Sequence, residues 1–216
     1  LRGALTAPTV KHYAAITDPK RVGEMLRAID GYVGLGLTKL ALQLAPHVFV
    51  RPSELRCAEW GEIDLDGALW TIPAAKMKMR KVHHVPLSRQ AVAVLRDVKA
   101  VTGPAGFVFP GMRSRARPMS ENTLNAALRR LGYTSEEMTS HGFRALASTL
   151  LNESGRWHPD AIERALAHSD KDKVRAAYHR GQHWKERVEM AQWWSDYLDQ
   201  LRKGADIVQF PERKVG

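Results

Sequence analysis

The chain has 216 residues, 44% of them hydrophobic, and 33 lysines and arginines against 23 acidic residues give it a formal net charge of +10. That length and apolar content support a core without disulfides and exclude a disordered or fibrous chain. The single cysteine, Cys57, excludes an internal disulfide and a cysteine metal site.

No apolar run reaches the roughly 18 residues that a membrane-spanning helix needs, and no signal-peptide pattern opens the chain. A cytoplasmic protein with no membrane partner is expected. Basic patches at 76–81, 113–117, 129–130 and 171–187 form the footprint of a polyanion, because each neutralised phosphate releases counterions.

Residues 1–17, with Pro8 and weak periodicity, suit a linker or entering arm. "TDP" is a helix start with Pro19 at the first position, and Val22, Met25, Leu26 and Ile29 continue it at helical spacing to Asp30. Leu35 to Ala45 reads as a buried helix ending near Pro46. Pro52 opens a short helix over 53–58, after which "LWTIP" and "KVHHVPL" read as two strands joined by a basic hairpin. The pattern then turns helical over 88–101. A loop with "FVFP" leads to a helix entered through Ser120, and "HGFRALASTLLNESG" forms another that ends at Gly155. "HPDAIERALAH" opens a further helix at Pro159, and the last runs from about Trp184 to Leu201. The sum is a mainly α domain with a small antiparallel sheet.

Several groups of residues could carry chemistry. In "RPSELR", Arg51 sits at a helix N-terminus, which attracts anions, and Glu54 is placed to hold its guanidinium from behind. An exposed Arg–Glu pair of little consequence has the same sequence. His141 and Arg144 in "HGFR" lie three apart on one helix face and could serve one ligand, or form an exposed polar stripe. Lys76, Lys78, Arg80 and Lys81 alternate with Met77 and Met79, so on a strand the even-numbered cations share a face. His168 and Tyr178 would be about 15 Å apart and about 80° off one face in continuous helix, but "SDKDK" at 169–173 is a turn sequence that can fold one back on the other. Lys173, Arg175 and Arg180 would stabilise a Tyr178 phenolate and attract a phosphate; packing alone also accounts for a lone tyrosine. The nine histidines show no metal-binding spacing, His83 and His84 point to opposite strand faces, and nucleotide-binding glycine motifs are absent.

Taken in order, "RPSELR", the lysine hairpin, "HGFRA", "LAH" and "VRAAYHR" resemble the tyrosine recombinase family, in particular phage-type and genomic-island integrases, from about Thr17 to Leu201. The resemblance implies the DNA breaking-rejoining catalytic fold over 18–202, with 1–17 leading in from an N-terminal DNA-binding region and 203–216 as a tail. It implies metal-free, ATP-independent transesterification without a cofactor. Arg51 and Arg144 would neutralise the scissile phosphate, and His141 and His168 would bond it and move the tyrosine proton. Lys78, rather than Lys76, would protonate the leaving 5′-oxygen, Tyr178 would attack, and Glu54 would support Arg51. Lys76, Arg80, Lys81, Arg113, Arg115, Arg117, Lys173, Arg175 and Arg180 would contact double-stranded DNA. Further expected partners are other protomers in a DNA-bound tetramer and accessory DNA-bending proteins. Type IB topoisomerase activity and an inactive DNA-binding relative are the alternatives. The apolar stripe Met190, Trp194, Tyr197, Leu198 and Leu201 can pack on its own core or on a neighbouring protomer.

Overall fold

A computed structural model describes residues 13–168 and 183–204. At its centre lies α2 (Gly36–Val48), the most apolar stretch of the chain, which buries Ala41, Leu42, Leu44 and Val48. Helix α1 (Pro19–Asp30) starts where the sequence predicts. The Asp18 carboxylate accepts the Arg21 N–H at 2.8 Å, which satisfies one of the free donors of the first turn, and Val22, Met25, Leu26 and Ile29 form its buried face. Against α1 and α2 packs the last helix, α8 (Trp184–Lys203). Its stripe of Met190, Trp194, Tyr197, Leu198 and Leu201 is buried in the chain's own core. Helix α2 ends near Pro46 as expected, two residues beyond it, so that the proline lies inside the last turn. Packing overrides its lost hydrogen bond, and its carbonyl accepts the Trp194 indole N–H at 2.7 Å.

The remaining elements are α3 (Pro52–Arg56), α4 (Arg89–Thr102), α5 (Thr123–Arg130), α6 (Gly142–Glu153) and α7 (Pro159–Ala165). Helix α5 begins at Thr123 rather than at Ser120, because 121–122 form a turn.

The antiparallel sheet has three strands in the order β1 (Ile63–Asp64), β2 (Leu69–Ile72), β3 (His83–Pro86). The sequence reading lacks β1, which is two residues long. Register pairs Trp70 with Val85 and Ile72 with His83, and all four side chains are buried. Thr71 and His84 pair on the outer face, so the two histidines diverge as expected.

The basic segment does not extend the strands, and its cations do not share a face. Ala74–Lys76 form a 3-10 turn, Met77 is buried, and Arg80 is left-handed at φ 52°. Two forces pull this segment in: burial of the Met77 side chain, and the Lys76 ammonium, which donates to Cys57 O at 2.9 Å, Glu59 at 2.6 Å and Glu62. Burial works against that charge, but the hydrogen bonds to Glu59 and Glu62 outweigh it and raise the Lys76 pKa. Lys78 and Lys81 stay exposed.

Two imidazoles are enclosed. Burial pushes His47 down to about 4, with Asp199 opposing and Arg202 assisting. It pushes His83 down to about 3, assisted by Arg187, opposed by a bond to the Ala165 carbonyl, and assisted again by Arg144 and Arg51. In the unfolded chain both histidines titrate near 6.5. Unfolding therefore takes up protons below about pH 6.5, and stability falls as pH drops through that window toward the folded values.

Urea midpoints are accordingly expected to fall between about pH 7 and pH 4.5, with His83→Gln showing a shallower dependence by about one proton; equal slopes in the two proteins would contradict the buried neutral histidine. A Cβ at Gly23 would run into the Leu201 carbonyl, where α1 and α8 meet backbone to backbone. Gly23→Ala should therefore cost about 1–3 kcal/mol, read as a lower urea midpoint at unchanged slope.

Candidate active site

Helix α2 ends at Phe49, which takes a left-handed conformation (φ 52°) and turns the chain into Arg51 and the short helix α3. Glu54, 4% exposed, reaches back as a helix N-terminal carboxylate does. One oxygen accepts the Arg51 backbone N–H at 2.7 Å and the other accepts the Arg51 guanidinium at 2.8 Å. The expected support from behind is thus built from two bonds to a single residue, and both chain and side chain of Arg51 are held.

Arg144 enters from the first turn of α6 and is buried rather than part of an exposed stripe. Its Nη1 donates to the Phe49 carbonyl, and its Nη2 donates to Leu166 O at 2.6 Å and to His168 Nε2 at 3.2 Å. Burial and then the neighbouring Arg51 lower its pKa to about 10, so it remains a cation at neutral pH. His141, the residue before α6, is half-buried and stacks on Tyr13 with centroids 4.1 Å apart and planes at 10°. Burial, then Arg144 and Arg51, push its pKa below the usual imidazole value, against the pull of Glu54. It is therefore neutral at pH 7, with one nitrogen able to donate and one able to accept.

His168 is positioned by the way α7 stops. The N–H of His168 bonds Glu163 O at 2.9 Å and that of Ala167 bonds Arg164 O at 3.1 Å, the paired bonds of a Schellman ending. Ala167 occupies the left-handed position, φ 50°, that glycine usually fills. This turn places three groups at once: Leu166 O on Arg144, Ala167 O on Arg51 Nη2 at 3.3 Å, and the His168 ring against Arg144. The other ring nitrogen, Nδ1, meets Glu163 at 2.8 Å. A guanidinium only donates and a carboxylate only accepts, so the proton lies on Nδ1 and Nε2 carries the lone pair.

The structure therefore gathers Arg51, Glu54, His141, Arg144 and His168. Lys78 lies on the exposed turn before β3, and Lys76 is committed to Glu59 and Glu62. Among the other basic positions, Arg80, Lys81, Arg113 and Arg117 are exposed. Arg115 is exposed as well and also closes the end of α4, donating to Val101 O at 3.2 Å and Thr102 O at 3.5 Å. Tyr178, Lys173, Arg175 and Arg180 lie outside the described residues. Sequence reasoning misses Tyr13, Glu163 and the carbonyls of Phe49, Leu166 and Ala167. Glu163 and His168 are five apart, a spacing that no straight helix pairs, so only the left-handed turn joins them. Chemically, two fixed guanidiniums beside two imidazoles suit an anion such as a phosphate.

Comparison with known proteins gives the family. The chain is 45% identical to the integrase of Enterobacteria phage P4 over 94% of its length, covering 49% of that protein. It is 45% identical to the prophage integrase IntA of Escherichia coli K12 over 73% of its length, covering 38% of it. The chain thus spans half or less of these relatives. Its fold is similar to that of an integrase from mycobacterium phage Brujita (TM-score 0.64, 16% identity, 91% of this chain and 65% of that one). It is also similar to a lambda integrase dimer bound to a COC′ core site (TM-score 0.57, 20% identity, 84% and 65%). The phage integrase family matches residues 17–183, and the chain belongs to it.

Proposed function

We propose that this chain is the strand-transfer domain of a site-specific DNA recombinase of the integrase type. The observation that carries the reading is the convergence of Arg51, Arg144 and His168 at the end of α7, each guanidinium bonded to a carbonyl of one turn. Identity to phage and prophage integrases over most of the chain supports it.

In this reading, Arg51 and Arg144 take the two non-bridging oxygens of a DNA phosphate. Tyr178 Oη attacks phosphorus as the bond to the 5′-oxygen breaks; the tyrosine proton passes toward His141 and His168, and Lys78 gives a proton to the leaving oxygen. The 3′-phosphotyrosine keeps the bond's energy, so a 5′-hydroxyl of a partner strand reverses the step and exchanges strands. Double-stranded attachment-site DNA and further protomers on it are the partners. The exposed Arg80, Lys81, Arg113 and Arg117 would track phosphates, together with Lys173, Arg175 and Arg180. Lys76 is bound to two carboxylates and would meet DNA only by leaving them.

A nicked suicide duplex carrying the attachment site should trap a covalent adduct with the wild-type protein and none with Tyr178→Phe, which should still bind DNA; an adduct with Tyr178→Phe would remove the nucleophile assignment. Relaxation of supercoiled plasmid with no recombinant product would assign topoisomerase action instead. Arg51→Ala and Arg144→Ala should each lower the cleavage rate at least about 100-fold, and near-normal rates would remove the clamp. Lys78→Ala should be slow on ordinary DNA but recover on a 5′-bridging phosphorothiolate, whose leaving group needs no proton. Equal deficits on both substrates would assign that proton to another residue.

A further inference from the structure

Away from this site, the starts of α7 and α8 bring together side chains that the sequence keeps far apart. His158 precedes α7 and Asp160 lies in its first turn, while His183 precedes α8. Each offers one nitrogen or oxygen within 4.8 Å of the other two. The sequence reading excludes a histidine metal site on spacing. The three residues come from two separate helix ends, so no local spacing could show them.

Three further observations bear on the cluster. His158 Nδ1 accepts the Asp160 backbone N–H at 3.2 Å, so its lone pair lies on that side. It also faces Asp160 Oδ2 at 3.9 Å. The Asp160 N–H satisfies that lone pair, and the imidazole and the carboxylate lie side by side at the start of α7. The Glu186 carboxylate accepts His183 Nδ1–H at 2.6 Å and the His158 backbone N–H at 2.7 Å. That fixes the His183 tautomer with Nε2 unprotonated, as a carboxylate does behind a metal-bound imidazole. Finally, His183 holds a left-handed backbone (φ 74°) that is costly for a side chain of this size, and its ring lies 4.8 Å from that of His158 with planes at 25°.

We propose that His158, Asp160 and His183 bind a divalent transition-metal ion, zinc by ligand type, with Glu186 orienting His183 and water completing a tetrahedral shell. Ligand atoms on tetrahedral zinc lie about 3.3–3.5 Å apart given bonds near 2.0–2.2 Å. Binding would draw the three atoms together from their present spread of up to 4.8 Å. The ion would clip the start of α7 to the start of α8. It takes no part in the strand-transfer chemistry.

Cobalt titration of the full chain, followed by visible absorbance and then zinc displacement, tests this. One equivalent should give tetrahedral d–d bands with no sulfur-to-metal charge-transfer band, which separates the site from Cys57. His158→Asn with His183→Asn removes both imidazoles while keeping a helix cap and a residue tolerant of left-handed backbone. It should weaken binding at least about 100-fold, and Glu186→Gln should weaken it about tenfold. Should the double variant lose its far-UV circular dichroism, Asp160→Asn, which leaves the His158 cap in place, should still weaken binding about tenfold. Absence of a tetrahedral spectrum at one equivalent, or affinity unchanged in any of these variants that remains folded, would overturn the site.

Discussion

Two residues other than glycine, Phe49 and Ala167, sit in left-handed backbone at the ends of α2 and α7, and the placement of both arginines depends on them. The carbonyl of Phe49 receives Arg144, and that of Ala167 receives Arg51. Left-handed backbone costs an ordinary residue about 1–2 kcal/mol, and such strain persists only where the surroundings enforce it. Here α2 is locked at the centre of the core and α7 is packed on α6 and α8. The strain is held by the fold, and what it secures is the direction of two peptide carbonyls.

Those carbonyls explain how two guanidiniums share a small volume. Burial and then the neighbouring Arg51 make Arg144 a costlier cation, as its lowered pKa shows. Glu54 beside Arg51, and Glu163 behind His168, supply negative charge, while the carbonyls of Phe49, Leu166 and Ala167 accept from the two guanidiniums. Burial first, with the charge of Arg144 and Arg51 assisting, pushes both His83 and His141 below the usual imidazole value. Both guanidiniums are thus held in place by the fold, and little rotamer freedom would remain to be lost on binding an anion.

Much of this was legible in the sequence. Helix starts with a local cap, such as Asp18 before Pro19 or Ser88 before Arg89, are stated by neighbouring residues and came out where expected. Glu54 was readable behind Arg51 for the same reason, because the bond spans three positions. What escaped depends on contacts distant in sequence. Lys76 reads as one member of a basic run, yet Glu59 and Glu62 draw it inward. Tyr13 belongs to an unremarkable arm until it meets His141. Strand β1 is too short to show alternation, and the burial of Arg144 against two carbonyls does not show because Phe49 and Leu166 are distant from it in sequence.

The carbonyls at Phe49, Leu166 and Ala167 also bear on how such a site drifts through evolution. A peptide oxygen is supplied by every amino acid, so these positions can change identity while the arginines stay anchored, provided the turn keeps its shape. A comparison of side chains alone would overlook these holders. Divergent relatives can thus keep the same clamp on a scaffold whose lettering has been largely rewritten.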